Sequence, residues 1–238
     1  MNSSAWIKKT KIDPNVFNNK NKIIFRTSSS DWVGTQEPVI ILFSVHSLFH
    51  HGTVGALKVN TLVRNIKENV EGNVTILITD KVHINALSLT FDGDAQKAYA
   101  QCIQDAQLLK SRFATDFEGC AVVSWEEFIS QDPDYQSYHD LVMDIYTTDT
   151  YFQELLYQDA LKSYTPDRAQ AAPDKDIFIT KTIQDLLEQS IYVFVASKKA
   201  YRFEFYPGKP NASSEYINHH FLPRENQIER LPVDIRLK

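Results

Sequence analysis

A serine with histidines close behind it follows an unbroken apolar run: residues 38–52 read PVIILFSVHSLFHHG. A hydroxyl attacks an acyl carbonyl effectively only with a base to take its proton and donors to hold the oxyanion it creates. His46, two residues beyond Ser44, is a candidate base, and His50 and His51 lie a few residues further on. The C-terminal third adds Gln184 and Glu188, four apart in QDLLE, and Tyr206 in FEFYPGKPN. That spacing puts Gln184 and Glu188 on one helical face. A carboxylate half-buried beside an amide could hold a substrate amine or relay a proton. Acyl transfer through a serine ester is the chemistry open to this set. Two plainer readings stand beside it: Ser44 bonding only its own turn, and Glu188 on a solvated helix face. No metal site is expected, because no carboxylate or cysteine accompanies the histidines at ligand spacing.

The elements that must position these residues can be read from periodicity. Val39 to Phe43 shows no alternation, as expected of a parallel strand buried on both faces. Ligands of open α/β sheets bind beyond the carboxyl ends of such strands, where Ser44 falls. Val54, Leu57, Leu62, Ile66 and Val70 form a helical stripe that Gly72-Asn73 should close, and Val74 to Ile78 is a second buried strand. That order predicts a right-handed βαβ unit. Asp94 can cap a helix carrying Ala98, Cys102, Ala106 and Leu109, and Ala121 to Ser124 is a third strand. Asp132 to Ser163 reads as acidic helix, broken by TPDRAQAAP (165–173). A helix from Asp174 should face Ile183, Leu187, Ile191 and Phe194 inward, and a last strand, Tyr201 to Phe205, runs into Tyr206 and Pro207. The pattern predicts an α/β fold: a Rossmann-type, doubly wound, mostly parallel sheet. Residues 1–238 should form one domain, with a basic N-terminal arm (1–21, before a strand at Lys22 to Arg26), an acidic helical excursion (132–173) and an irregular tail (211–238).

Composition narrows the function. The first strand–helix junction has no glycine between Ser44 and Gly52, which excludes the pyrophosphate cradle of NAD- and ATP-binding turns. Ser44 is flanked by LF and VH, so it is not a GxSxG elbow. The net charge of −5 argues against broad nucleic-acid coating, but residues 1–26 carry six Lys/Arg against one Asp. One basic face could therefore still attract an RNA. Cys102 and Cys120 sit in apolar contexts and read as core residues. No run approaches the ~20 apolar residues of a membrane span, and the start has no signal-peptide core. A cytoplasmic protein with no membrane partner is expected, and a monomer.

SVHSLFHHG after a buried strand, QDLLEQSIYVF on a late helix and FEFYPG after it resemble the three signatures of tRNA-dependent cyclodipeptide synthases. The subfamily with a Tyr-Pro pair is the nearer likeness, over roughly residues 22–210. The resemblance implies a domain like the catalytic domain of class I tyrosyl- and tryptophanyl-tRNA synthetases. It implies two aminoacyl-tRNA substrates, a cyclic dipeptide product, and neither ATP nor any other cofactor. It makes Ser44 the nucleophile of a ping-pong transfer, Glu188 the ammonium-holding and proton-transferring carboxylate, and Tyr206 with Pro207 the catalytic pair. Ser47 takes a position that is Asn in the other subfamily. Gln184 stands where the family has a tyrosine, which removes a phenol expected to help hold the aminoacyl amine. Ile40, Leu42 and Ile191 would line a first side-chain pocket suited to small or aliphatic residues. Lys58, Arg64, Lys67 and Lys97, or else the basic N-terminal arm, are the expected tRNA contacts. Two rivals stay open: a catalytically impaired relative that binds aminoacyl-tRNA, and a Rossmann-type serine hydrolase or acyltransferase.

Overall fold

A computed structural model describes residues 6–10, 23–27, 31–44, 52–206 and 210–237. Ser47, Pro207, the side chain of Lys58 and the histidines at 46, 50 and 51 lie outside the described residues. In chain order the elements are β1 (Trp6–Thr10), β2 (Ile23–Thr27), β3 (Val39–Phe43), α1 (Gly52–Lys67), β4 (Val74–Ile78), α2 (Ile84–Ser88), α3 (Ala95–Arg112) and β5 (Ala121–Ser124). There follow α4 (Tyr135–Thr148), α5 (Thr150–Ser163), α6 (Pro166–Ala171), α7 (Lys175–Lys198), β6 (Phe203–Tyr206), α8 (Ala212–His220), β7 (Glu229–Pro232) and β8 (Asp234–Leu237).

Five strands form a sheet in the order β5-β4-β3-β6-β7, every pairing parallel. Its two faces are sorted by the two-residue period of the strands. Val39, Ile41 and Phe43 join Phe203, Phe205 and Leu231 in one core, closed by Leu62 and Ile66 of α1 and Leu109 of α3. Ile40 and Leu42 point the other way, into a second core with Val142 of α4, Leu156 of α5 and Val193 of α7. Helices on both faces explain why β3 and β4 read as continuous apolar runs. The fold is therefore the doubly wound α/β architecture expected. The helix starts follow the sequence as well. Asp94 accepts from the Gln96 and Lys97 N–H groups, and Asp174 from those of Asp176 and Ile177.

Several expectations need correcting. The tail is not irregular: α8, β7 and β8 fall within 211–238, and β7 is the edge of the parallel sheet. Its strands were masked by Glu229, Arg230, Asp234 and Arg236, which break the apolar pattern of a buried strand. The N-terminal arm contains β1, and the strand expected at Lys22 to Arg26 spans Ile23–Thr27 (β2); β2 pairs antiparallel with both β1 and β8 in a separate three-stranded sheet. The break at 165–173 holds a short helix with Pro166 in its first turn. The strand expected at Tyr201 to Phe205 spans Phe203–Tyr206, and β7 follows it.

Helix α1 ends at Lys67, before Gly72. Gly72 instead lies against the segment that leads into β3, where a Cβ would press into the carbonyl oxygens of Gln36 and Glu37. Gly72→Ala should therefore destabilise the fold by about 1–3 kcal/mol. A thermal melt checks this, and an unchanged midpoint would mean that the loop can shift freely. Among the described residues no helix is long and apolar enough to cross a membrane.

Candidate functional site

The carboxyl ends of β3 and β4 are tied together where the candidate nucleophile begins. Both the N–H and the hydroxyl of Thr79 donate to the Phe43 carbonyl, at 2.9 and 3.1 Å. Ser44, the next residue, is 5 % exposed. It lines a cleft of about 420 Å3, counting the space open to solvent. Tyr206 enters this cleft from the end of β6, next to β3. Burial and the nearby Glu204 raise the pKa of its phenol, against Arg230 and Arg168, so the hydroxyl stays protonated at neutral pH and can donate. Leu42, two residues before Ser44, lines the same wall. Ser44, Tyr206 and Leu42 thus meet as the sequence suggested.

Helix α7 meets the cleft on a different face from the one its polar spacing suggested. Gln189 and Tyr192 line the cleft. Gln184 is exposed, and among the described residues neither it nor Glu188 is part of the lining. Glu188 lies behind Trp125, which does line the cleft: its carboxylate accepts from the Trp125 indole N–H at 3.3 Å and from the Tyr135 hydroxyl at 3.0 Å. Burial and this carboxylate push the Tyr135 phenol pKa up. Two expected pocket residues also sit elsewhere. Ile40 and Ile191 are buried in the second core and are not part of the cleft lining. Their apolar side chains pack under the cleft rather than into it.

Asp185, one turn before Gln189, is buried against the start of α2. It accepts from the Asn85 N–H and side-chain amide at 3.0 and 2.9 Å, and from the Ala86 N–H at 2.9 Å. Burial outweighs these donors and pushes the carboxyl up to about 7. A carboxyl raised in the folded state contributes stability that is fully present below its unfolded value, near 3.8, and lost as pH rises through about 7. The melting point of the wild type should therefore fall relative to Asp185→Asn between about pH 4 and about pH 7 and run parallel to it above that. A parallel or opposite trend in the two melts within that window would contradict this.

Several cleft residues escaped the sequence reading. His83, Thr79 and Val82 come from the end of β4 and the loop after it, Asn211 from the start of α8 and Arg230 from β7. The rule that located Ser44 applies equally to the carboxyl end of β4 and would have found His83. Arg230 carries no such signal, because the sequence around its strand has the polar pattern of a tail. Asn211 donates to the Gln189 side-chain oxygen at 2.7 Å, which fixes that amide at the cleft wall. Among the described residues no group of His, Cys, Asp and Glu is arranged to hold a metal ion.

The expected tRNA contacts are dispersed. Arg64 and Lys67 border a surface depression that also contains Glu68 and Asp116. Arg64 pairs with Glu68 at 3.8 Å, and Lys67 donates to the Glu118 carbonyl. Lys97, at the opposite end of α3, pairs with Asp94 at 3.2 Å and is 70 % exposed. The 18 residues of α3 correspond to about 27 Å of helix.

No protein-family model and no curated protein sequence matches the chain. Solved structures do. A cyclodipeptide synthase from Fluoribacter dumoffii superposes with a TM-score of 0.80 at 16% identity, over 92% of this chain and 99% of that one. One from Candidatus Glomeribacter gigasporarum, bound to Phe-tRNAPhe, gives 0.63 at 18% identity, over 84% and 88% of the two chains. A Mycobacterium tuberculosis protein, whose structure was described as relating cyclodipeptide synthetases to type I tRNA synthetases, gives 0.63 at 9% identity, over 90% and 94%. At such low identities the likeness is one of fold, and it extends over most of the chain.

Proposed function

We propose that this chain is a tRNA-dependent cyclodipeptide synthase working by ping-pong acyl transfer, of the Tyr-Pro form given Tyr206 and Pro207. The observation that carries this reading is Ser44, held at the carboxyl edge of the parallel sheet in a cleft with Tyr206, within a fold shared with such synthases over 92% of the chain. The Ser44 hydroxyl oxygen bonds to the ester carbonyl of the first aminoacyl-tRNA, and the tRNA leaves with its hydroxyl. The ester is already activated, so the step draws on no nucleotide. The amine of the aminoacyl-serine then attacks the ester carbonyl of a second aminoacyl-tRNA, whose tRNA leaves with its hydroxyl, and a dipeptidyl ester remains on Ser44. The free amine of that ester closes on its own carbonyl and frees Ser44.

Each cleft residue has work in this scheme. Tyr206 stays protonated and orients the acyl group. Gln189, its oxygen occupied by Asn211, turns its amide N–H groups to the developing oxyanion. Glu188, behind Trp125, balances the charge of the ammonium end from outside the cleft wall and reaches it directly only if the indole moves aside. The phenol that Gln184 fails to supply is present from another helix, since Tyr135 bonds the Glu188 carboxylate directly. Gln184 itself is exposed, so Gln184→Ala should keep product yield within about twofold and leave the melt unchanged, as at ordinary surface sites. A large loss in that variant would return the position to the site.

Expression in a bacterium tests the reading, because charged tRNAs are already present there. Mass spectrometry of the medium should find a cyclic dipeptide that vector-only cells lack. Hydrolysis of simple acyl esters at Ser44 with no dipeptide formed would favour a serine hydrolase instead.

A further inference from the structure

We propose that the floor of this cleft selects an aminoacyl group whose side chain ends in a neutral hydrogen-bonding group, a carboxamide above all, through Arg230 and Tyr192. The inference deepens the aminoacyl-transfer reading and rests on it for the identity of the ligand. It replaces the aliphatic pocket expected from Ile40, Leu42 and Ile191.

Strand register carries the argument. Ile40 pairs with Glu204, and Glu204 with Arg230, so one row crosses β3, β6 and β7. Alternation puts Glu204 on the same sheet face as Tyr206, two residues lower, or about 6.6 Å down the strand. That depth suits a side chain of three or four bonds descending from Ser44. The row is charged where the rest of the face is apolar: the Glu204 and Arg230 side chains are 0% and 8% exposed. Burying such a pair is costly unless its hydrogen bonds are completed.

They are not completed. The Arg230 Nε–H is shared by the two Glu204 oxygens at 3.0 Å, one Nη2–H goes to Glu204 at 2.8 Å, and one Nη1–H goes to Glu215 at 3.2 Å. A guanidinium has five N–H donors, so one on each terminal nitrogen remains unspent among the described residues. Tyr192 is 1% exposed, and its hydroxyl faces the Glu204 carboxylate without completing a well-aligned hydrogen bond among the described residues, so its lone pairs stay open to a donor. Both residues line the cleft. Donors from Arg230 beside a hydroxyl that can donate or accept match the C=O and NH2 of a carboxamide. Charge excludes the ionic alternatives. Glu204 and Glu215 outnumber Arg230, so the cluster repels a carboxylate, and the open N–H groups of Arg230 only donate, which offers a lysyl ammonium no acceptor there. An aliphatic side chain would leave every one of these groups unpaired. Sites built to hydrogen-bond a ligand reject the analogue that cannot do so far more strongly than apolar pockets sort methylenes.

The test measures binding of full-length protein to stable 3′-aminoacylamido-adenosines carrying glutaminyl, leucyl, glutamyl or lysyl groups. The glutaminyl compound should bind at least about tenfold more tightly than the other three. Tyr192→Phe, which removes one oxygen atom, should cut that preference severalfold. Glu204→Leu/Arg230→Met, which exchanges the ion pair for apolar bulk together, should invert it towards leucyl. Leucyl binding equal to or tighter than glutaminyl in the wild type, a preference indifferent to both variants, or no binding of any of the four would overturn the proposal. A pocket that sorts these compounds while Ser44 is never acylated would instead overturn the synthase reading and leave the pocket assignment standing.

Discussion

Ser44→Ala should fold as the wild type does and lose cyclic dipeptide formation by at least about 10³-fold, the scale on which a removed nucleophile registers. The change deletes one oxygen from a buried position, with a stability cost on the order of 1 kcal/mol for a lost hydrogen bond. The strand that positions residue 44 is set by Val39–Phe43 and by the clamp from Thr79 to the Phe43 carbonyl, neither of which uses the serine hydroxyl. Stability and activity should therefore separate cleanly. Product from Ser44→Ala at wild-type yield would remove the residue from the mechanism.

The second large effect is expected at Glu188, where charge and scaffolding can be told apart. A glutamine there keeps an oxygen for the Trp125 indole N–H and an amide for the Tyr135 hydroxyl oxygen, so the clamp behind the cleft survives. It cannot take a proton or balance an ammonium. Glu188→Gln should thus melt near the wild type yet lose at least about 100-fold in product formation. Glu188→Ala should lose activity and stability together, because it strands two donors in a half-buried position. A fully active Glu188→Gln would make the carboxylate a support for Trp125 and pass the ammonium to the cleft-facing residues of α7.

What the sequence disclosed and what it hid follow from periodicity. β3 and β4 were legible because strands covered on both faces must be apolar throughout, and the start of α3 because an aspartate caps it. Ser44 followed from the end of β3. The working face of α7 did not. From Ser190 to Ala196 every residue of the helix is buried, so over that stretch no polar stripe marks a direction. The four-residue spacing of Gln184 and Glu188 fixed their common face without saying where it points. The cleft takes Gln189 and Tyr192 instead, a rotation of about 100° from Glu188 to its neighbour. Arg230 was hidden for a related reason. A strand bearing a buried charge looks like surface until its partner on the next strand, Glu204, is known. Pairing of that kind, between positions 26 residues apart, leaves no local pattern in one sequence.

Intact-protein mass spectrometry after incubation with a single species of aminoacyl-tRNA tests the central claim most directly. The account predicts a gain of one aminoacyl group, mapped by digestion to Ser44 and absent from Ser44→Ala. The same adduct on Ser44→Ala, or on any other residue of the wild type, would contradict it.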